Sequence, residues 1–319
     1  MRGMRAAGPA HSLRWAVEQA EPRVLSLALG RTLIAAVPLL TLLANPDSTL
    51  FSASAEAPRC AGVRAMSLWC LTGPTDTGLL LGRILSIVIL VVVISGYRPR
   101  WTCVPHWYVT FSLTVSGSIT DGGDRIAQIA AMLLIPVCLG DGRRWQWLPP
   151  TAPLTPKWCG SAFAGLITLK AQIFIIYATA VITKLNDPLW RQGSAMYLVV
   201  HDPDYGFPAQ VRAFLGQALR SFPAVAAATW SVIGIQAVLA LAILAGKRLR
   251  KVVLVLGIGL HLSIATLMNL PTFGMAMIGL LTVGTIVLIG PERASVPMDE
   301  TSRRLSADEV ADDCPPGQP

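Results

Sequence analysis

Gln172-Ile173-Phe174-Ile175-Ile176-Tyr177-Ala178-Thr179-Ala180-Val181-Ile182-Thr183-Lys184 decides the class of this chain. Taken with the residues before it, from about 160 to 183, the run reaches the ~20 residues a helix needs to cross a bilayer. It closes on a lysine. Two other apolar runs also hold an ionisable residue: Val252 to Leu267 contains His261, and Val24 to Leu43 contains Arg31. A charge in hydrocarbon costs roughly 2.5–3.5 kcal/mol on insertion scales, so such residues face a protein interior or a wet cavity. They point to a membrane protein with a site.

Composition agrees. The 319 residues are only 14% charged, against about 25% for a soluble domain, and the mean hydropathy is +0.56. The net charge of +8 is no nucleic-acid signal, because the Lys and Arg sit in short clusters between apolar runs, as positive-inside loops do. Arg2, Arg5, Arg14 and Arg23 precede the first run, and Ala53-Ser54-Ala55 resembles a cleavage site. The run is too long for a signal peptide, however, and that site lies well beyond it, so an uncleaved first membrane helix is expected.

Eight spans are predicted, at 24–44, 78–96, 104–120, 125–140, 160–183, 224–245, 251–268 and 273–290. The third and fourth are short and carry polar residues. Residues 1–23 form an N-terminal segment, 24–290 an all-α polytopic membrane domain, and 291–319 a polar tail expected to be disordered. Tyr97-Arg98-Pro99-Arg100, Arg143-Arg144 and Lys247-Arg248-Leu249-Arg250-Lys251 share one side with the basic N-terminus. That side is predicted cytoplasmic, with both termini inside. The loops 45–77, 121–124, 184–223 and 269–272 then face outward. Within the longest of these, 209–220 reads as a short interfacial helix, with Val211, Phe214, Leu215, Ala218 and Leu219 on one face.

Of six cysteines, Cys103, Cys138 and Cys159 lie in or beside spans, where burial as small apolar side chains accounts for them, and Cys314 lies in the tail. Cys60 and Cys70 lie in the first outward loop, at a spacing that suits a disulfide. There is no CxxC, and the histidines at 11, 106, 201 and 261 show no metal-ligand spacing. No G-x-S-x-G, Walker loop or HExxH is present.

The candidate site residues each admit a plain reading beside a functional one. Arg31 either snorkels to the headgroups or pairs with an intramembrane acid. Asp121-Gly122-Gly123-Asp124 places two carboxylates around a tight turn, fit to bind a cation, accept a proton or hold a basic group, or simply to cap a helix. Lys184, with Asp187, Trp190 and Gly193 after it, is a base or nucleophile at an apolar boundary, or an interfacial anchor. His261, in mid-span, is either functional or bonded to a neighbouring carbonyl, and His106 stands in the dense stretch Pro105-His106-Trp107-Tyr108.

Leu29-Gly30-Arg31-Thr32, Leu40-Thr41-Leu42-Leu43-Ala44-Asn45, the Cys60/Cys70 pair, the DGGD turn and the stretch Gln172 to Trp190 together resemble the B component of sporulation-delaying peptide-toxin systems, over most of residues 20–290. The resemblance implies a bacterial plasma-membrane protein that works with a small A-type partner to mature or export a secreted, disulfide-containing, bacteriocin-like peptide. That family in turn resembles the membrane domain of vitamin K-dependent γ-carboxylases, the horizontally transferred transmembrane (HTTM) domain. His106 stands where a carboxylase histidine opens a span, and Asp121 where an acid ends it. Lys184, with Trp190 and Gly193, stands where the carboxylases hold their base. His261, with Phe273 and Met277, resembles a later stretch. This second resemblance implies a quinone-type cofactor. In the eight-span order, however, His106 opens its span at the cytoplasmic side and Lys184 closes its own at the outer side, about 30 Å away, so glutamate carboxylation is not inferred.

The expected function is thus a peptide-toxin maturation factor with an outward polar site. In it Lys184 is a base or substrate-binding cation, and Asp121 and Asp124 bind a basic peptide group or a cation. The alternatives are a quinone-using membrane enzyme, and a transporter or immunity-type binding protein without chemistry. No metal and no nucleic-acid partner is expected.

Overall fold

The computed structural model describes residues 21–51, 60–73, 75–118, 121–245 and 249–286. Residues 1–20 of the basic N-terminus and the tail expected to be disordered lie outside these. Among the described residues there is no strand beyond one isolated bridge, Tyr97 to Trp145. Eight helices have 14 residues or more. In chain order they are α1 (Leu25–Ala44), α2 (Asp76–Ser95), α3 (Pro99–Ser116), α4 (Gly122–Cys138), α5 (Pro156–Asn186), α6 (Phe222–Leu244), α7 (Arg250–Leu267) and α8 (Pro271–Gly284).

Of these, α1, α2, α5, α6 and α7 are long and apolar enough to cross a membrane. α8 is shorter but apolar, α3 is as long as α7 but carries more polar residues, and α4 has 17 residues and opens on the polar DGGD turn. Local chemistry sets the ends. Proline opens α3, α5 and α8, where its missing N–H is no loss. The Thr75 hydroxyl accepts from the Gly78 N–H at 3.1 Å to cap α2, which stops at Gly96 with φ 82°.

The fifth span, expected at about 160–183, lies within α5, which has 31 residues and runs to Asn186. Nothing breaks it before Asp187-Pro188, and a residue before proline disfavours helix. At 1.5 Å per residue it is about 46 Å long, well beyond a ~30 Å hydrocarbon core. The interfacial helix at 209–220 is two pieces, Ala209–Phe214 and Gly216–Leu219, parted near Gly216, with Phe214 87% exposed.

α8 is central, packing on α1, α4, α5 and α7. Its approach to α1 depends on glycine: a Cβ at Gly30 would sit 2.7 Å from the Gly279 carbonyl oxygen. Small residues let helix backbones come this close where lipid supplies no hydrophobic drive. One apolar core joins α4, α5, α6 and α8. A second fills the space between α1, α2 and α3, and at its heart is Trp69, fully buried.

Trp69 comes from a loop. Residues 60–72 form a 3-10 turn (Gly62–Met66) and a short helix (Leu68–Thr72), closed by the expected Cys60–Cys70 disulfide with Cα atoms 5.6 Å apart. The loop is fastened to α3, since the Tyr108 hydroxyl donates to the Met66 carbonyl at 2.7 Å and the Leu68 N–H to Ser112 Oγ at 3.0 Å. Its tryptophan meets Phe51 at a tilt, with ring centroids 5.3 Å apart, and lies over Gly82 of α2. The bundle therefore has a disulfide end and an opposite, arginine-rich end. At the latter, Arg23 bonds Glu21 and the Ala152 carbonyl, and Arg143 bonds Asp141. The hydrogen bonds to Glu21 hold the Arg23 guanidinium above its ordinary pKa, against the opposing effect of burial.

Candidate functional site

Polar side chains gather inside the bundle in two groups, one toward each end. Toward the disulfide end, the DGGD motif begins α4. Asp121 is its N-cap: Oδ1 accepts from the Asp124 N–H at 2.9 Å, and Oδ2 accepts from the Thr272 hydroxyl of α8. Asp124 turns inward, 3% exposed, and accepts from Thr41 of α1 at 3.0 Å. Gly123 makes the junction possible, since a Cβ there would lie 2.5 Å from the backbone of Thr272. The motif thus both caps a helix and joins α1, α4 and α8.

Next to this junction, Phe273 covers Gly122 and meets the ring of His261, with centroids 5.7 Å apart. His261 is buried, and its Nε2 shares a 2.7 Å hydrogen bond with the hydroxyl of Tyr177 on α5. His261 Nδ1 has no hydrogen-bond partner among the described residues. One turn with two carboxyls, Asp124 buried and Asp121 half-buried, and a Tyr–His pair can together hold a proton or orient a basic group.

Toward the arginine end, Arg31 is 1% exposed. It neither snorkels nor meets an acid among the described residues, which corrects both expectations. Its guanidinium donates to Gln146 Oε1 at 2.9 Å and to Thr102 Oγ1 at 2.6 Å. Gln146 in turn donates to Thr32 Oγ1 at 3.1 Å. The physical reason is that the 143–148 segment folds back over the ends of α1 and α3, so a neutral amide reaches the cation before water or a headgroup does. His106 lies one turn past Thr102 on α3, buried, its Nε2 without a hydrogen-bond partner among the described residues. Ten residues separate Arg31 from Thr41, so the two groups stand roughly 15 Å apart along α1.

Lys184 joins neither group. It lies in the last turn of α5, half-buried, with Nζ 4.9 Å from the centre of the Trp190 ring. Seven residues place it roughly 10 Å along α5 from Tyr177. So the structure brings His261 and Asp121 into one neighbourhood, places Asp124 beside them, pairs Lys184 with Trp190, and leaves His106 and Arg31 toward the other end. Among the described residues no group of three or more His, Cys, Asp or Glu is placed to hold a metal ion.

Sequence reading missed Tyr177, Thr41, Thr272 and Gln146, all neutral and all partners of a flagged residue. It also passed over Arg83, which interrupts the apolar run of α2. Arg83 pairs with Asp47 at 2.9 Å and donates to the Asn45 carbonyl. The signal was present, as an arginine seven residues inside an apolar helix.

A bundle of several long apolar helices, with ionisable side chains packed between them, defines a polytopic membrane protein. Comparison with known proteins gives the family. The chain is 32% identical over 292 residues to the sporulation-delaying protein SdpB of Bacillus subtilis (strain 168), covering 91% of this chain and 88% of that protein. It is also 32% identical over 274 residues to the uncharacterized protein YitO of the same organism, covering 84% and 86%. The chain belongs to the SdpB family. No family model matches it, and no solved structure does.

Proposed function

We infer that this protein serves a sporulation-delaying type of toxin system as a membrane factor that matures or exports a secreted peptide, together with a small partner subunit. The observation that carries the reading is the nearly full-length relation to SdpB. All eight helices cross the bacterial plasma membrane, the disulfide end faces outward, and both termini are cytoplasmic. Support comes from the loop disulfide, which belongs in an oxidising compartment, and from the arginines gathered at the opposite end. The site that handles the peptide is the outer polar group, with Asp121, Asp124 and His261 inside the bundle and Lys184 with Trp190 standing above it.

The carboxylase-like alternative gains nothing from the geometry. His106 and Lys184 lie toward opposite ends, so the residues that resemblance assigns to quinone chemistry do not meet, and no step is routed through a quinone.

Topology is checked by reporter fusions. Fusions after residues 123 and 205 are expected to read outside, and after 145 and 248 inside. A cytoplasmic signal at 205 overturns the assignment of Lys184 to the peptide-handling face.

The function is tested by mass spectrometry of the peptide secreted with and without the protein. Lys184→Met is expected to leave the protein inserted and to cut mature peptide by about 100-fold, the range of one lost acid–base group. Lys184→Arg keeps the charge but cannot deprotonate usefully. Maturation restored by arginine makes Lys184 a binding cation, and its loss makes it a base. Normal maturation by both variants leaves Lys184 an anchor and removes it from the site.

A further inference from the structure

A cleft of about 120 Å³ opens between α4 and α5, with Leu280 of α8 at its back. Ile126 and Ile129 of α4 and Ile176 of α5 form its apolar walls. Two polar side chains line it, Arg125 and Gln172. Neither is used by the site described above.

Arg125 is in the first turn of α4, exposed, and no carboxylate pairs with it among the described residues. The acids nearest in sequence are committed elsewhere, Asp121 to Thr272 and Asp124 to Thr41. Its positive charge is therefore unneutralised at the edge of the bilayer. Gln172 is half-buried and makes no side-chain hydrogen bond among the described residues. It lies one helical turn from Ile176, on the side away from the disulfide end. An uncompensated guanidinium at the mouth and a free amide donor deeper in, between walls of branched apolar side chains, set one chemical preference. It asks for an anion, a carbonyl acceptor below it, and hydrocarbon alongside.

We propose that this cleft is a binding site for an anionic glycerophospholipid of the leaflet at the disulfide end. The phosphodiester pairs with Arg125, an ester carbonyl accepts from the Gln172 amide, and the glyceryl carbons and first methylenes run along the apolar walls formed by Ile126, Ile129, Ile176 and Leu280. A lipid's phosphate lies shallower than its ester carbonyls, and Arg125, in the first turn of α4, lies nearer the disulfide end than Gln172, well inside α5. Basic pockets between membrane helices recognise anionic headgroups in this way, and a charge-assisted hydrogen bond supplies the preference over a zwitterionic lipid. The site adjoins the outer polar group, since Ile176 precedes Tyr177 and Arg125 follows Asp124.

The test is native mass spectrometry of the full chain, delipidated in detergent and titrated with phosphatidylglycerol or phosphatidylcholine. The wild type is expected to retain phosphatidylglycerol about fivefold better, the scale of one basic residue at an anionic surface. Arg125→Gln is expected to abolish that preference, and Gln172→Leu to weaken retention of both lipids. Arg191→Gln, an exposed arginine at the same end, is expected to change neither. Arg125 is exposed, so its loss leaves the fold intact, and an unchanged unfolding temperature confirms this. Retention of the preference by Arg125→Gln overturns the site. So does full displacement of phosphatidylglycerol by inorganic phosphate, which makes Arg125 a free-anion site instead.

Discussion

Gly123→Ala is expected to destabilise the protein by about 2–3 kcal/mol, the upper range of overpacking, and to cut peptide maturation with it. The added methyl would lie 2.5 Å from the Thr272 carbonyl carbon and 2.6 Å from the Phe273 nitrogen. Both are backbone atoms, so no side chain can swing away. α4 must move off α8, and that movement opens the Asp121–Thr272 and Asp124–Thr41 bonds together. Gly122→Ala is the control. There the nearest atom is a Phe273 ring carbon at 3.3 Å, which can yield by a few tenths of an ångström. Thermal unfolding in detergent should show a large loss for Gly123→Ala and a small one for Gly122→Ala. Equal effects would mean that the two glycines serve only the turn and not the helix junction.

Trp69→Ala is expected to cost about 3–5 kcal/mol, the range for removing a large buried aromatic. Trp69 is fully buried between Phe51, α2 and α3. Trp69→Phe should cost far less, because the indole Nε1 has no hydrogen-bond partner among the described residues and nothing polar is lost with it. Unfolding midpoints of the two variants, measured with the disulfide intact, separate packing from the covalent link. A Trp69→Phe variant as unstable as Trp69→Ala would show that an unseen partner of the indole matters more than its volume.

Much of this architecture can be read from local chemistry, because membrane helices are written in runs of apolar residues. The five long apolar helices, the capping role of Asp121, the Cys60–Cys70 link and the nearness of Lys184 to Trp190 all depend on residues close in sequence. The internal contacts do not. Tyr177 and His261 are 84 residues apart, and Arg31 and Gln146 are 115 apart. Gln146 sits in a polar loop where nothing local marks it as the partner of a buried cation. Arg31 shows the limit most clearly. Its depth in an apolar run signals a special environment, yet whether lipid headgroups, an acid or an amide meets it depends on where the 143–148 loop folds. α5 outruns its apolar segment for a related reason. Hydropathy stops at Ile182, but backbone hydrogen bonding continues to the first residue pair that forbids it.

The loop that carries Trp69 also constrains how the chain is made. Residues 60–72 are synthesised before α2 and α3, the two helices that receive them. Until Ser112 emerges, Leu68 has no side chain to accept its N–H, and the indole has no closed cavity to enter. The nascent protein must therefore carry a large aromatic unburied until its second and third helices have been made and packed. The Cys60–Cys70 link, formed within ten residues, holds the short helix around Trp69 ready during that interval.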